Sequence, residues 1–296
     1  MSNNALENTV LLNLTISSPG NIRKVDTAQV EVDADKDMLK LSKELWKSPE
    51  YDAIKSMMGE ARRWVQTKCL PASFIKGGFH ILPLDLMEQV VDRLGEFQEQ
   101  LKPLVDNFCR MYETRKAEAV GRLRELYDDS QYPPVHKIRE SFGMTWKFMS
   151  VGVPGQLAEF NERYFAEAKQ QAERDWQQAT EEIRTLLRES MRGLVEHMID
   201  QLTPTPDGKR KRFYESTISK FKEFMQDFPF RNLANDSELH EAVEQAQSLL
   251  NGATADALRK GPSWYRAQVK QGMDQLRQRL DSMLEDVPER AIALEG

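Results

Sequence analysis

The sequence predicts a mainly α-helical protein, with a long, antiparallel, coiled-coil-like helical hairpin, a small β-sheet and a carboxy-terminal helical bundle. Two long stretches, 87–126 and 156–202, carry apolar residues at steps of three and four, which is the pattern of one helix face. Three short runs rich in β-branched or aromatic residues, at 9–17, 79–83 and 144–153, indicate strands. The mixture of 30% charged and 40% hydrophobic residues is typical of a chain with much solvated helix surface.

The first 68 residues contain four predicted elements: a strand over 9–17, a weaker strand over 27–33, and helices over 34–46 and 49–68. The first strand ends before Pro19 and Gly20, which favour a turn. The last helix has a complete start signal, because Ser48 is a preferred N-cap residue and proline is favoured at the first helical position.

The stretch CLPASFIKGGFHILP, residues 69–83, combines two glycines, an apolar run and a closing proline. Gly77 and Gly78 permit positive φ angles, and FHILP fits a short buried strand. A loop that binds phosphate needs a GxxxxGK[ST] or GxGxxG pattern, and this stretch contains neither. We therefore predict a turn leading into a strand, in preference to a ligand-binding loop.

The two long amphipathic stretches are joined by a segment that includes a predicted strand. The most economical arrangement packs the two helices against each other as an antiparallel hairpin. The alternative is a helix that breaks and folds back. Pro103 lies inside the first helix and removes one backbone donor, so we expect a kink or a short break there.

The segment TPTPDGKRKR marks a predicted boundary, since proline and glycine stop a helix. We predict four regions: the small sheet and the helical hairpin in 1–203, a basic linker in 204–212, a carboxy-terminal helical module in 213–287 and a frayed tail in 288–296. Within the module, short amphipathic runs are separated by Pro, Gly and Asp-Ser caps.

Composition and charge argue against several classes of protein. A formal net charge of −6 disfavours a protein whose main role is to coat nucleic acid, because that role needs a surplus of cations. Cys69 and Cys109 lack CxxC spacing and fit reduced, buried thiols. No run approaches the roughly 20 apolar residues that span a bilayer, and the amino terminus lacks a signal-peptide pattern. We therefore expect a cytoplasmic protein without membrane contact.

No catalytic set, cofactor site or metal site is recognisable in the sequence. The histidines are scattered, and none has a second histidine at the i, i+4 spacing of helical metal sites; they are His80, His136, His197 and His240. No GxSxG, SxxK or cysteine-centred nucleophile signature occurs. The alternative is an enzyme of unrecognised type, with His80 or His136 gathered with carboxylates in a pocket.

Two short segments are candidates for contact with a partner. The first consists of Lys209, Arg210, Lys211 and Arg212, which stand beside two aromatic residues, the combination that grips phosphates and stacks on bases. The interpretation we prefer for an acidic chain is a solvated linker whose cations favour the end of the preceding helix. The second segment, Trp264 and Tyr265, begins a helix after Gly-Pro-Ser and is a candidate for a protein contact.

Four passages, SKELWKSPE, ARRW, GGFHILP and FGMTWKF, together with the early strand, resemble a family of uncharacterised phage and mobile-element proteins. Members of that family are usually encoded near MoxR-type AAA ATPases and near von Willebrand factor A-type, cobaltochelatase-like proteins. The resemblance covers roughly the first two thirds of the chain. It implies a cytoplasmic accessory protein that acts beside an ATPase and has no catalytic residues of its own.

The leading expectation is a non-enzymatic interaction protein. Its long helical hairpin would present a surface to a protein partner, such as a MoxR-type AAA ATPase, or to another copy of the chain as a homo-oligomer. Nucleic-acid binding through the segment from Lys209 to Arg212 is the second hypothesis. Neither function requires a cofactor.

Overall fold

The structure is a computed structural model, and it describes residues 8–31, 33–150 and 152–285. The chain is 67% helical, with nine α-helices in the described ranges and a small antiparallel sheet. The predicted mainly α class is therefore confirmed. Of the helices in these ranges, none is both long enough and apolar enough to cross a membrane. The predicted frayed tail, 288–296, lies outside the described residues.

Helices account for most of the described chain, and six short strands accompany them. The helices are α1 (Pro49–Lys68), α2 (Met87–Leu123), α3 (Val135–Glu140), α4 (Gln156–Phe160), α5 (Glu162–Leu202), α6 (Glu215–Arg231), α7 (Ser237–Leu250), α8 (Ala255–Lys260) and α9 (Ser263–Glu285). The strands are β1 (Thr9–Ser17), β2 (Ile22–Lys24), β3 (Ser42–Glu44), β4 (Leu70–Pro71), β5 (Phe79–Pro83) and β6 (Gly143–Met149). The strands predicted at 9–17 and 79–83 and the helix predicted at 49–68 form with the predicted bounds.

The chain divides into two compact units. The amino-terminal unit contains Thr9–Cys69 and Ile75–Ser150, and the carboxy-terminal unit contains Leu70–Phe74 and the described residues from 152 onwards. Helix α5 therefore groups with the carboxy-terminal helices, whereas the sequence analysis assigned it to 1–203 with the sheet. The physical reason is the apolar face of α5, which packs along α9.

Strand β1 lies between β5 and β6 in the main sheet of the amino-terminal unit. It runs antiparallel to both of these neighbours. In the pairing with β5, Leu12 lies opposite His80. Gly77 and Gly78 have φ angles of 113° and 73°, a region that favours glycine. The Asn13 side-chain amide donates a hydrogen bond of 2.9 Å to the Gly77 carbonyl. The two glycines thus form the turn that the sequence predicted before β5.

Helices α1 and α2 pack against each other and against the main sheet. One buried cluster joins β1, β5, α1 and α2 and includes Leu12, Val65, Leu82, Val90 and Leu94. A second buried cluster surrounds Phe108. The ring centroids of Tyr51 and Trp46 lie 5.4 and 5.7 Å from that of Phe108, and those of Phe142 and Tyr112 lie 5.8 and 6.0 Å from it. Phe108 is therefore the centre of an aromatic core.

The segment after β1 departs from the sequence prediction. The weaker strand predicted over 27–33 is not found in the described part of this range, and residue 32 lies outside it. Thr27–Gln29 instead form a 3-10 turn. The Asp26 carboxylate accepts the Ala28 N–H, a local bond that competes with extended pairing.

The prediction of a helix over 34–46 is wrong. Lys36–Met38 form a 3-10 turn, and Ser42–Glu44 pair antiparallel with β2 in a second, two-stranded sheet. Leu45 and Trp46 follow this hairpin and are buried in the aromatic core. Their burial in the core explains apolar positions that the sequence analysis attributed to a helix face.

Both long helices form, with one difference each from the prediction. Helix α2 is continuous through Pro103, so no break occurs there. The second predicted helix is interrupted at Asn161, whose side chain accepts the N–H groups of Arg163 and Tyr164 and caps α5. Helix α2 packs along α1 and helix α5 packs along α9, each within its own unit. The predicted coiled-coil hairpin is therefore not confirmed.

Helix α1 is tied to α2 by an ion pair at its first turn. Arg115 donates to the two carboxylate oxygens of Glu50 at 2.7 and 3.2 Å, and the Ser48 hydroxyl donates to the same carboxylate at 2.5 Å. Ser48 also caps the helix, because its oxygen accepts the Tyr51 N–H. The hydrogen bond from Arg115, followed by that from Ser48, lowers the pKa of Glu50 from 4.5 to about 2.

Glu50→Gln is expected to lower the free energy of unfolding at pH 7 by about 1–2 kcal/mol, the value of a charged hydrogen bond reduced by solvent screening. A carboxylate whose pKa is lowered on folding stabilises the fold fully above its unfolded pKa, here near 4.5. That stability is lost as the pH falls toward about 2. Urea unfolding of both proteins across this pH range should therefore show a difference that shrinks in acid.

The matched control for this variant is Glu118→Gln. Glu118 also pairs with Arg115, but 44% of its side chain is exposed, so its loss should cost less than about 1 kcal/mol. A difference between Glu50→Gln and the parent protein that is the same at every pH would contradict the assigned role of Glu50.

Arg188 is a buried hub of the carboxy-terminal unit. Its guanidinium donates to both carboxylate oxygens of Asp236, at 2.7 and 3.1 Å, and to the Met283 carbonyl at 2.6 Å. A further bond of 3.0 Å reaches Glu238. Asp236 in turn accepts the Leu239 N–H and caps α7. Because α5, α7 and the end of α9 meet at this guanidinium, it fixes the positions of three helices.

Candidate partner-binding surface

The segment predicted as a basic linker, 204–212, is closed by its own hydrogen bonds. The Thr205 N–H and hydroxyl both donate to the Lys209 carbonyl at 2.9 Å, and the Gly208 N–H donates to the Thr205 carbonyl at 2.8 Å. Gly208 has a φ of 76°, which favours glycine. Phe213 follows and is fully buried, so it anchors the end of this turn in the unit.

The two lysines of the basic segment form ion pairs close to the end of α5. Lys209 lies 3.0 Å from Asp207, and Lys211 lies 2.5 Å from Asp200. The hydrogen bond from Lys211 lowers the pKa of Asp200. The pKa of Asp207 is lowered first by a hydrogen bond from Thr205 and then by one from Lys209. The lysine charges are thus partly balanced within the unit.

The two arginines of the segment point to different neighbours. Arg210 Nη1 donates to the carbonyls of Gly261 and Arg259 at 3.2 and 3.4 Å. The Arg212 guanidinium lies over the Tyr214 ring, 5.4 Å from its centroid, in a cation–π contact. Arg210 therefore joins the segment to the end of α8, whereas Lys211 pairs with Asp200 in the last turn of α5.

The buried side chain of Arg266 joins the end of α5 to α8. It is buried and donates to the carbonyls of Gln201 and Leu202 at the end of α5, at 2.5 and 3.2 Å, and to that of Leu258 in α8, at 3.0 Å. Carbonyls in the last turn of a helix lack intrahelical partners, so one guanidinium satisfies three of them. Burial, followed by the positive charge of Arg210, lowers the pKa of Arg266.

The turn between α8 and α9 exposes an aromatic pair. Gly261 is required there, because a Cβ atom would lie 2.2 Å from the Ala257 carbonyl oxygen. Helix α9 begins two residues later, and Trp264 in its first turn is 66% exposed. The Trp264 and Tyr265 rings meet edge to face, with centroids 6.0 Å apart. The first turn of α9 thus presents a tryptophan to solvent.

We name the surface formed by residues 200–214 and 254–266 the cationic corner. It contains seven Lys and Arg residues against three Asp, in a chain whose formal net charge is −6; six of the seven cations are at least partly exposed, and Arg266 is buried. The hydrogen bonds of Arg210 and Arg266 link its two segments. The basic segment and the tryptophan–tyrosine pair, which the sequence analysis treated as separate candidates, therefore belong to one surface.

The contribution of α8 and the start of α9 to the positive charge was not predicted from the sequence. Arg259, Lys260 and Arg266 flank the Gly-Pro-Ser turn and add three cations to the corner. Arg266 binds a carbonyl 65 residues away in the chain, and such a contact leaves no local signature. The available signal was the density of cations in LRKGPSWYR, directly around the tryptophan.

Clefts in the amino-terminal unit lie beside two of its arginines. One, of about 310 Å³, lies beside Arg115, and the other, of about 620 Å³, lies beside Arg139. Neither is lined by His80, which is half-buried in β5, or by His136, which is exposed. Burial lowers the pKa of His80. Across residues 8–31, 33–150 and 152–285, no three His, Cys, Asp or Glu side chains are grouped so as to hold a metal ion.

Comparison with protein-family models, with curated proteins and with solved structures finds no match to this chain. The resemblance to the phage and mobile-element family therefore stays a prediction. Evidence on function comes from the geometry of the cationic corner.

Proposed function

We propose that this protein is a non-enzymatic interaction protein and that the cationic corner is its contact surface for a protein partner carrying acidic residues. The observation that carries the proposal is Trp264, which is 66% exposed within a surface of surplus positive charge. Tryptophan, tyrosine and arginine are the residues that dominate the binding energy of protein interfaces. An exposed tryptophan held on a helix also loses little conformational freedom on binding.

A protein partner fits the corner better than a nucleic acid for two electrostatic reasons. Asp200, Asp207 and Asp256 already balance part of the positive charge, and phosphates would have to displace them. The chain as a whole carries a formal charge of −6, which repels a polyanion at low salt. The family resemblance makes a MoxR-type AAA ATPase the first partner to test.

Binding of single-stranded nucleic acid is the second candidate function. Tyr214 and Trp264 are 51% and 66% exposed, and the Arg212 guanidinium of the basic segment lies over the Tyr214 ring. Exposed rings beside cations are the arrangement that stacks bases and neutralises phosphates. This function predicts an affinity that falls steeply with salt and falls further when the four cations from Lys209 to Arg212 are replaced by alanine.

Trp264→Ala is expected to weaken partner binding by about 30-fold or more, the effect of removing an interface hot spot. The chain should still fold, since an exposed side chain contributes within about 0.5 kcal/mol to stability. The matched control is Phe230→Ala, which removes an exposed aromatic ring of the same unit outside the corner and should leave binding unchanged. The measurement is affinity capture of tagged protein from its native or infected cells, read by mass spectrometry with and without nuclease and ATP.

The proposal is supported if an ATPase is captured even after nuclease treatment and if Trp264→Ala, but not Phe230→Ala, abolishes its capture. The captured ATPase is then the partner. Purified components then give the dissociation constant of each variant. Recovery of nuclease-sensitive material alone favours the second candidate, which fluorescence anisotropy of a labelled single-stranded oligonucleotide at several salt concentrations tests directly. If a partner binds the parent protein, Trp264→Ala and Phe230→Ala equally well, it does not use the corner, and the proposal fails.

A further inference from the structure

One side of the cleft beside Arg115 is a rigid wall built on Trp46. The cleft has a volume of about 310 Å³ and lies between the residues after β3 and the carboxy-terminal end of α2. Trp46 lines it and is only 3% exposed. The Asn21 amide donates to the Trp46 carbonyl at 3.2 Å, and the Tyr132 hydroxyl donates to the Leu45 carbonyl at 2.6 Å. Hydrogen bonds from two distant segments therefore fix the backbone that carries this tryptophan.

The indole N–H of Trp46 is a buried donor without an acceptor. In the part of the chain that the structure describes, no group accepts a hydrogen bond from its Nε1. The Tyr112 ring lies edge to face with the indole, with centroids 5.7 Å apart, and a contact between an N–H and a ring is a weak substitute for a hydrogen bond. Buried polar groups nearly always have a partner, and the indole nitrogen can only donate. The partner that Trp46 lacks is therefore an acceptor.

Charged side chains of the same cleft are also unpaired. Lys47, Arg122 and Glu44 line the cleft and are exposed, and none of them forms an ion pair within the described residues. Arg115 differs from them, because two glutamates already pair with it. Lys47 and Arg122 are thus cations that can turn toward a ligand without breaking an existing ion pair.

The lining selects a small molecule with an apolar body and a single negative charge. Its apolar residues, besides Trp46, are Leu45, Ala119 and Leu123. A carboxylate matches the planar guanidinium of Arg122, which can donate two parallel hydrogen bonds to it. A phosphate with two charges is disfavoured, because Glu44 and Glu118 line the same cleft and repel it. The volume is at the lower end of the range for ligand pockets, about 300–1,000 Å³.

We propose that this cleft binds a small carboxylate with an apolar body, and that its carboxylate group accepts hydrogen bonds from the Trp46 indole N–H and from the Arg122 guanidinium. The two carboxylate oxygens have enough lone pairs to accept from both donors. Lys47 adds a second positive charge, and the apolar body lies against the aliphatic part of the lining. The ligand thus supplies the acceptor that the buried indole lacks.

This inference goes beyond the proposed function and is independent of it. The cleft belongs to the amino-terminal unit, and the cationic corner consists of residues 200–214 and 254–266 of the carboxy-terminal unit. Trp264→Ala should therefore leave carboxylate binding unchanged, and variants in the cleft should leave the corner intact. Failure of one proposal does not imply failure of the other.

A titration of the full chain with sodium hexanoate, followed by NMR, tests the site directly. The indole N–H resonance of Trp46, assigned by triple-resonance experiments on ¹⁵N-labelled protein, should move downfield and saturate as the new hydrogen bond forms. A ligand of this size is expected to bind with a Kd of about 1 mM. The chain has five tryptophans, and the other four indole resonances are the internal control, which should stay in place.

Two comparisons identify the groups that recognise the carboxylate. Arg122→Gln should weaken hexanoate binding by about ten-fold, the effect of losing a charged hydrogen bond. Arg110→Gln, which alters an exposed arginine of the same helix outside the cleft, is the matched control and should leave the Kd unchanged. Hexanamide, which has the same size without the charge, should also bind about ten-fold more weakly than hexanoate.

Three results would overturn the proposal. The first is a Trp46 indole resonance that hexanoate leaves in place and that lies far upfield in the free protein, since the N–H would then face the Tyr112 ring. The second is equal binding of hexanoate to the Arg122→Gln and Arg110→Gln proteins. The third is an equal shift with inorganic phosphate, which would mean that the site holds any anion and does not recognise an apolar carboxylate.

Discussion

Replacing Arg188 with methionine is expected to lower the free energy of unfolding of the carboxy-terminal unit by about 3–5 kcal/mol. Methionine keeps much of the buried stem but leaves the Asp236 carboxylate without its guanidinium. Only 2% of that aspartate side chain is exposed. Burial raises the pKa of Asp236, but the hydrogen bonds from Arg188 and from the Leu239 N–H outweigh this and lower it overall. Urea denaturation followed by tryptophan fluorescence measures the loss.

Two further variants separate the cost of the buried charge from the cost of lost packing. Adding Asp236→Asn to Arg188→Met should recover about half of the lost stability, because asparagine still caps α7 and carries no charge. Glu238→Gln alters the third member of the group, whose side chain is 64% exposed, and should cost less than about 1 kcal/mol. If Asp236→Asn lowers stability further in the Arg188→Met background, an unpaired buried charge is not the cause.

Phe108→Ala is expected to destabilise the amino-terminal unit by a similar amount, about 3–5 kcal/mol. The Phe108 side chain has no exposed surface, and four other rings lie within 6.0 Å of it, centroid to centroid. Its removal leaves a cavity among rigid rings that relax only partly. The loss of stability should appear in urea unfolding, together with a weaker near-ultraviolet circular dichroism signal from the aromatic residues.

The size series and a surface control make this prediction specific. Phe108→Leu leaves a smaller cavity and should cost about 1–2 kcal/mol. Val120→Ala, on the same helix but 48% exposed, should change stability by less than about 0.5 kcal/mol. Equal losses for Phe108→Leu and Phe108→Ala would mean that the site collapses after substitution, and the aromatic cluster would then not be a rigid core.

Elements with a strong local signal could be predicted from the sequence. Helix α1 begins where Ser48 and Pro49 predicted it, since a side-chain cap and a fixed φ act within four residues. The turn at Gly77 and Gly78 was equally local. The segment 34–46 was misread because a run of apolar residues is compatible with a helix face and with core burial. Only contacts with residues far along the chain, such as Phe108 against Trp46, distinguish the two.

The candidate site was predictable in its parts and not in its assembly. The basic segment was visible as a cluster of like charges, and the Trp264–Tyr265 pair as aromatic residues at a helix start. Their common surface depends on Arg210 reaching the Gly261 carbonyl, 51 residues away, and on the buried Arg266. Every residue has a backbone carbonyl, so a side chain that binds carbonyls recognises no particular sequence. The partners of Arg210 and Arg266 therefore could not be predicted from a residue pattern.

The sequence by itself determined the mainly helical class, the start of helix α1 and the strand β1, because each depends on residues a few positions apart. The tertiary structure alone decided which helix covers which apolar face. Both long helices have an apolar stripe that would fit several partners, and periodicity does not rank them. The packing of α2 along α1 and of α5 along α9 follows from side-chain fit and from buried groups such as Arg188, which join elements distant in the chain.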